Sequence, residues 1–118
     1  MTIASTVNTA LTAVIANTWA VELPPNPTWP AIIFQIESMP EKGWVQGGGY
    51  IQHIVTVVLF AEARTELATF KPQIVTAMEG INSDPFRYFG EEESGDADFE
   101  ELPGVYAYYQ NFRIRERT

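Results

Sequence analysis

A chain of 118 residues, 46% apolar and 13% aromatic against 19% charged, is long enough for one domain with a real hydrophobic core and too rich in core formers to be disordered throughout. Seven Lys and Arg against fifteen Asp and Glu give a net charge of −8, a balance that repels phosphate and argues against specific nucleic-acid binding through a basic surface. With no cysteine, disulfides, thiolate nucleophiles and Cys-rich zinc sites are excluded.

The first twenty residues are apolar enough to suggest a signal peptide. They lack a basic leader, since the first cation is Lys42, and Thr and Asn interrupt the apolar stretch, so the segment reads as mature sequence. No apolar run reaches the length of a bilayer span, which predicts a soluble chain without a membrane partner. Between about 3 and 17, Ile3, Val7, Leu11, Val14 and Ile15 recur at helical spacing and predict an amphipathic helix. Four of the eight prolines then crowd positions 24 to 30, which predicts a stiff extended connector rather than a regular element.

From Ala31 to Met39, Ile32, Phe34 and Ile36 alternate with Ile33, Gln35 and Glu37, the period of a strand with one core face. Residues 40–49 carry half of the glycines and read as a Gly-rich hairpin arm whose tip could order on a partner. Tyr50 to Glu62 predicts a second strand, apolar on both faces: Ile51, Val55, Val57 and Leu59 on one, Ile54, Val58 and Phe60 on the other. A second apolar face on a two-layer domain points to association.

Thr65 to Glu79 aligns Leu67, Phe70, Ile74, Ala77 and Met78 in a helical stripe, with Gly80 placed as its C-terminal cap. Pro72 leaves two versions open: a helix starting near Thr69, or one starting at Thr65 and bent at Pro72. Phe86 to Phe89 suggests a short strand, and residues 91–101, with seven of the fifteen acids and little to bury, predict a solvated acidic loop. Gly104 to Glu116 returns to alternation: Tyr106, Tyr108, Phe112 and Ile114 face one way, Ala107, Tyr109, Asn111, Arg113 and Arg115 the other. The whole predicts a single α+β domain over 1–118, with a mainly antiparallel sheet, two helices packed on one face, and the order helix, strand, strand, helix, strand.

Chemistry-bearing motifs are sparse. His53, the only histidine, has no Cys or second His to share a metal, and reads as a satisfied, semi-buried strand residue. No serine stands in a nucleophile motif, and Gly47 to Gly49 leads into a strand where a phosphate loop would open a helix. The acids from Asp96 to Glu100 alternate like a calcium loop without its glycine or terminal glutamate. Neither a catalytic residue nor a cofactor or metal site is therefore assigned. Arg113, Arg115 and Arg117 line one side of the last strand, either as a solvated strand end or as partners for the acidic loop of another subunit. Trp29 is expected to fold back onto the core; Trp44, in the Gly-rich arm, is the better candidate to wait for a partner.

The N-terminal helix, the Pro-rich connector ending in Pro30-Ala31-Ile32-Ile33-Phe34, the Gly-rich arm, and Tyr50 to Phe60 running into Ala61-Glu62-Ala63-Arg64 together resemble the small tail-terminator or tail-completion proteins of long-tailed bacteriophages and prophages. The likeness spans most of positions 5–81 as a pattern of elements. It implies a non-enzymatic minor tail protein, assembled in the bacterial cytoplasm into the virion tail. Its copies would form a ring, hexameric in the family, that caps the tail-tube protein and offers a docking surface to the head–tail connector. Self-repulsion at −8 allows the free chain to stay monomeric at low salt and assemble only on the tube. Trp44, Ile54, Val58, Phe60, Arg113 and Arg115 are the expected interface residues. Two other classes fit the same features: another neck or head–tail joining protein, and a small dimeric α+β ligand-binding domain.

Overall fold

The computed structural model describes residues 2–21, 23, 28–41, 50–82, 85–97 and 104–117. Helix α1 (Ile3–Thr12) begins with a reciprocal cap: the Ser5 N–H donates to Thr2 Oγ1 at 3.1 Å, and the Thr2 N–H donates to Ser5 Oγ at 3.2 Å. Two otherwise orphaned donors are satisfied in this way, which is typically worth ~1 kcal/mol. The helix ends earlier than the apolar spacing predicts. Val14 and Ile15 both donate to the Leu11 carbonyl, and the Thr18 hydroxyl takes the Ile15 carbonyl at 2.7 Å, so the chain leaves the helix while Ile15 stays buried.

Strand β1 (Thr18–Ala20), unexpected ahead of the prolines, pairs parallel with β2 (Ala31–Glu41) through Thr18 and Ile32, Trp19 and Ile33, and Ala20 and Phe34. Asn17, just before β1, ties its start to the residues that lead into β2, its amide donating to Thr28 Oγ1 at 3.1 Å and to the Pro30 carbonyl at 3.3 Å. β2 runs antiparallel to β3 (Tyr50–Ala61), and β3 to β5 (Tyr106–Arg117), giving a five-stranded sheet of order β1-β2-β3-β5-β4. The fold is α+β with a mainly antiparallel sheet, as the alternation predicts. The Gly-rich arm, apart from its first two residues in β2, lies outside the described residues.

Helix α2 (Arg64–Glu79) starts at the early of the two expected positions and keeps Pro72 inside. Proline cannot donate to the Ala68 carbonyl, and the neighbouring turns are reinforced by side chains: Gln73 Nε2 donates to the Thr69 carbonyl at 3.3 Å and the Thr76 hydroxyl to the Pro72 carbonyl at 3.0 Å. Gly80 does close the helix, in a right-handed conformation that needs no glycine. Leu67, Ile74 and Met78 of α2 join Val7 and Leu11 of α1 against Ile32, Phe34, Val55, Val57, Leu59, Phe112 and Ile114, one core between the helices and one sheet face. Each such side chain contributes ~1.5–3 kcal/mol by leaving water.

The largest departure concerns the acidic segment. Strand β4 (Phe86–Ala97) continues through Glu91, Glu92, Glu93 and Asp96, so the first seven residues of the expected loop are strand, and residues 98–103 lie outside the described residues. The cause is the free edge of β5, which offers unpaired backbone groups all along its length. β4 follows it with two register shifts, one at Phe89 beside Gly90 (φ +128°) and one between Glu91 and Ser94. Charged side chains on such an edge also discourage further strand addition.

Candidate interaction surface

Among the described residues, no helix covers the second face of the sheet. Across its three long strands the register aligns Ile33, Val58 and Tyr109; Gln35, Thr56 and Asn111; Glu37, Ile54 and Arg113; and Met39, Gln52 and Arg115. Ile33, Ile54, Val58 and Tyr109 are half-buried, and Thr56 Oγ1 donates to Asn111 Oδ1 at 2.7 Å between them. Around these stand Met39 and Phe89, 46% and 53% exposed, and Trp19 at 41%. Ile54 and Val58 thus belong to this helix-free face.

Phe60 needs a correction. It lies on the same face but is only 3% exposed, because Trp29 folds back over it with ring centroids 5.7 Å apart. Trp29 therefore reaches the sheet as expected, and in doing so removes Phe60 from the accessible surface. Trp44 lies outside the described residues.

The basic stripe is held mostly within the chain. Arg113 ion-pairs with Glu92 on β4, an intrachain form of the pairing expected between subunits. The Arg115 guanidinium stacks at 3.7 Å from the Phe89 ring centroid and 4.6 Å from that of Tyr50. Arg87, which the sequence reading passed over, is in register with Arg115 on the same face and donates to Asn82 Oδ1 at 3.4 Å. Phe89 shares the strand parity of Arg87 and so this face, but its role as a stacking platform depends on Arg115, 26 residues later in the chain.

On the helix face, His53 is 3% exposed and bridges three strands: Nδ1 is 2.6 Å from Ser38 Oγ and Nε2 is 2.8 Å from Glu116 Oε1. With a neutral imidazole, Nε2–H donates to the carboxylate and Nδ1 accepts the serine hydroxyl. Serine, histidine and acid in contact invite comparison with a nucleophile triad. Ser38, however, is an in-register residue in the middle of a flat strand, not the strained strand-to-helix turn that presents a catalytic serine. The cluster serves as a polar cross-link, and its partners, 15 and 63 residues from His53, left no local signal in the sequence. A 490 Å³ groove between the helices is lined by Ser5, Thr9, Ala13, Thr76, Ala77 and Gly80, residues without acid–base chemistry at neutral pH. Among the described residues no cluster of three metal-ligating side chains occurs, and no helix is long and apolar enough to cross a membrane.

Neither a protein-family model nor a curated protein matches the chain. The shape does have a match, a chain in a solved structure titled "Virion of native gene transfer agent (GTA) particle", at a TM-score of 0.60 over 98% of this chain and 95% of that one. The two share a fold. At 13% identity the likeness extends to the fold alone.

Proposed function

We propose that this chain is a non-enzymatic structural protein of a phage-like particle, and within it the tail terminator: a ring of copies on the head-proximal end of the tail tube that stops polymerisation and receives the head. The observation that carries the reading is the end-to-end fold match with a chain of a gene transfer agent virion. The resemblance of positions 5–81 to tail terminators supplies the specific role. The helix-free face with Ile54, Val58, Arg113 and Arg115 supplies a surface for assembly, and the arm carrying Trp44 a second contact. Its partners are then its own copies, the tail-tube protein and the head–tail connector, and it resides in the virion tail after assembly in the bacterial cytoplasm. A net charge of −8 suits a ring through which DNA must pass without sticking.

Deleting the gene and imaging the particles by electron microscopy tests this. Overlong tails without heads are expected, and tails of normal length joined to heads would refute the role.

A further inference from the structure

The helix-free face is self-complementary about its central strand. β2 and β5 flank β3, and each row of the register sets unlike residues on its two sides: Ile33 and Tyr109 about Val58, Gln35 and Asn111 about Thr56, Glu37 and Arg113 about Ile54. The first of these rows runs on to both edges of the sheet, with Trp19 on β1 at one end and Gly95 on β4 at the other. A two-fold rotation about an axis parallel to β3 and just above this face exchanges β2 with β5 and β1 with β4, and keeps every row at its own height. Glu37 of each copy then meets Arg113 of the other, amide meets amide in the Gln35 and Asn111 row, and Ile33 packs on Tyr109. Val58, Thr56 and Ile54 meet their own equivalents on the axis. Trp19, 41% exposed, comes to lie over Gly95, where the Tyr109 ring stands 3.4 Å from the place a Cβ would take.

We propose that the free chain pairs with a second copy through this face, sheet on sheet, about that two-fold axis. Both partners use the same patch, so the contact is isologous and closes at two copies. Aligned sheets pack ~10 Å apart with strands crossing at about 30°, which keeps facing side chains within reach of one another. The half-buried Ile33, Ile54, Val58 and Tyr109 supply the apolar centre, and the pairs of Glu37 with Arg113 fix the orientation. Arg113 can serve two carboxylates, since Glu92 engages one terminal nitrogen of a guanidinium that has five donors. The alternative two-fold, across the strands through the Thr56 row, would press Glu37 onto Ile33 and take its charge out of water unpaired. Four strands of 11 or 12 residues make a face about 19 Å wide and about 38 Å long, roughly 700 Å², close to the ~800 Å² that each partner gives to a standard interface. The inference goes beyond the terminator role: the pair is the form of the free chain, and a ring on the tube exchanges its contacts for those between neighbours.

A charge-swap experiment tests it. Sedimentation of the purified full chain reads its mass at submillimolar concentration and about 0.15 M salt, where repulsion between two chains of −8 is screened beyond ~8 Å. The wild type should run as a dimer and no larger. Glu37→Arg sets like charges against each other twice across the contact, and Arg113→Glu does the same with acids, so each should weaken dimerisation roughly tenfold or more. Mixed in equal amounts, the two variants should recover a dimer of one copy of each, because the two changed side chains then face each other, as do the two unchanged ones. Val58→Asp brings two carboxylates together on the axis and should weaken the dimer by a similar factor while keeping the native circular dichroism spectrum.

A wild type that stays monomeric leaves the face to another partner and overturns the contact, and one that forms a larger species overturns the two-fold. So does a Glu37→Arg chain that dimerises as tightly as the wild type, or a mixture of folded variants that recovers no dimer. Where Arg113→Glu loses its fold with the Glu92 pair, Glu37→Arg and Val58→Asp decide alone. None of these results bears on tail length in the deletion strain, which decides the terminator role separately.

Discussion

Removing the Glu116 carboxylate should expose how much the buried His53 cluster contributes. The His53 side chain is 4% exposed and its Nε2 lies 2.8 Å from Glu116 Oε1, so Glu116→Ala leaves a buried ring N–H with no acceptor. Hydrogen bonds to charged groups are worth ~1.5–3 kcal/mol, and an orphaned buried donor costs ~1–3 kcal/mol; the two describe the same loss, so the expected destabilisation is about 2 kcal/mol. For a domain of this size that lowers Tm by about 8 °C. Urea and thermal unfolding followed by circular dichroism measure it. A double-mutant cycle with His53→Leu isolates the coupling, because the double variant has no donor left to strand and should fall short of the summed single losses by about 1–2 kcal/mol. A Glu116→Ala change within about 0.5 kcal/mol of wild type, or an additive cycle, would refute the assignment of the cluster as a structural cross-link.

Pro72→Ala restores a donor to the Ala68 carbonyl in the exposed middle of α2 and should raise the urea midpoint, by up to ~3 kcal/mol in stability; a lower midpoint would show that the proline geometry is needed. Val58→Asp, on the half-buried open face, should keep the native circular dichroism spectrum at a cost under about 1.5 kcal/mol, whereas Phe60→Asp, beneath Trp29, should lose more than the ~3–5 kcal/mol of a Phe→Ala deletion. Equal stabilities for the two would contradict the shielding of Phe60. Burial, with the charges of Glu79 and Glu91 behind it, pushes the Tyr88 phenol above its ordinary value of 10.0. The unfolded phenol then ionises first, so stability should be unaffected by this group below about pH 10 and fall above it. Tyr88→Phe should flatten that alkaline loss, and an unchanged slope would count against the shift.

Much of the sheet was legible because alternation is a strong signal when one face is buried. Ile32, Phe34, Val55, Val57, Leu59, Phe112 and Ile114 are the residues the period selects, and they form the core. β1 escaped notice because three residues carry no period and owe their strand geometry to the edge of β2. The acids of β4 concealed a strand for a related reason: its conformation is imposed by pairing to β5, and composition reports only that its side chains stay in water. Helix α2 could be placed but not its start, since the effect of Pro72 depends on side chains that reinforce the turns around it, Gln73 next to it and Thr76 one turn on. At the interaction surface, the outward direction of Ile54 and Val58 followed from parity alone. The shielding of Phe60 did not, because it depends on where Trp29 returns from the connector. Arg87 gained meaning only from its register with Arg115, 28 residues later in the chain.

The placement of this chain in a particle is the central claim, and it is read most directly by cryo-electron microscopy of purified particles carrying a tagged copy. The account predicts density for a closed ring of copies at the junction of tail tube and head, with the helix-free sheet face turned into contacts with neighbouring subunits. Particles that lack the tag, or that carry it anywhere other than that junction, would contradict it.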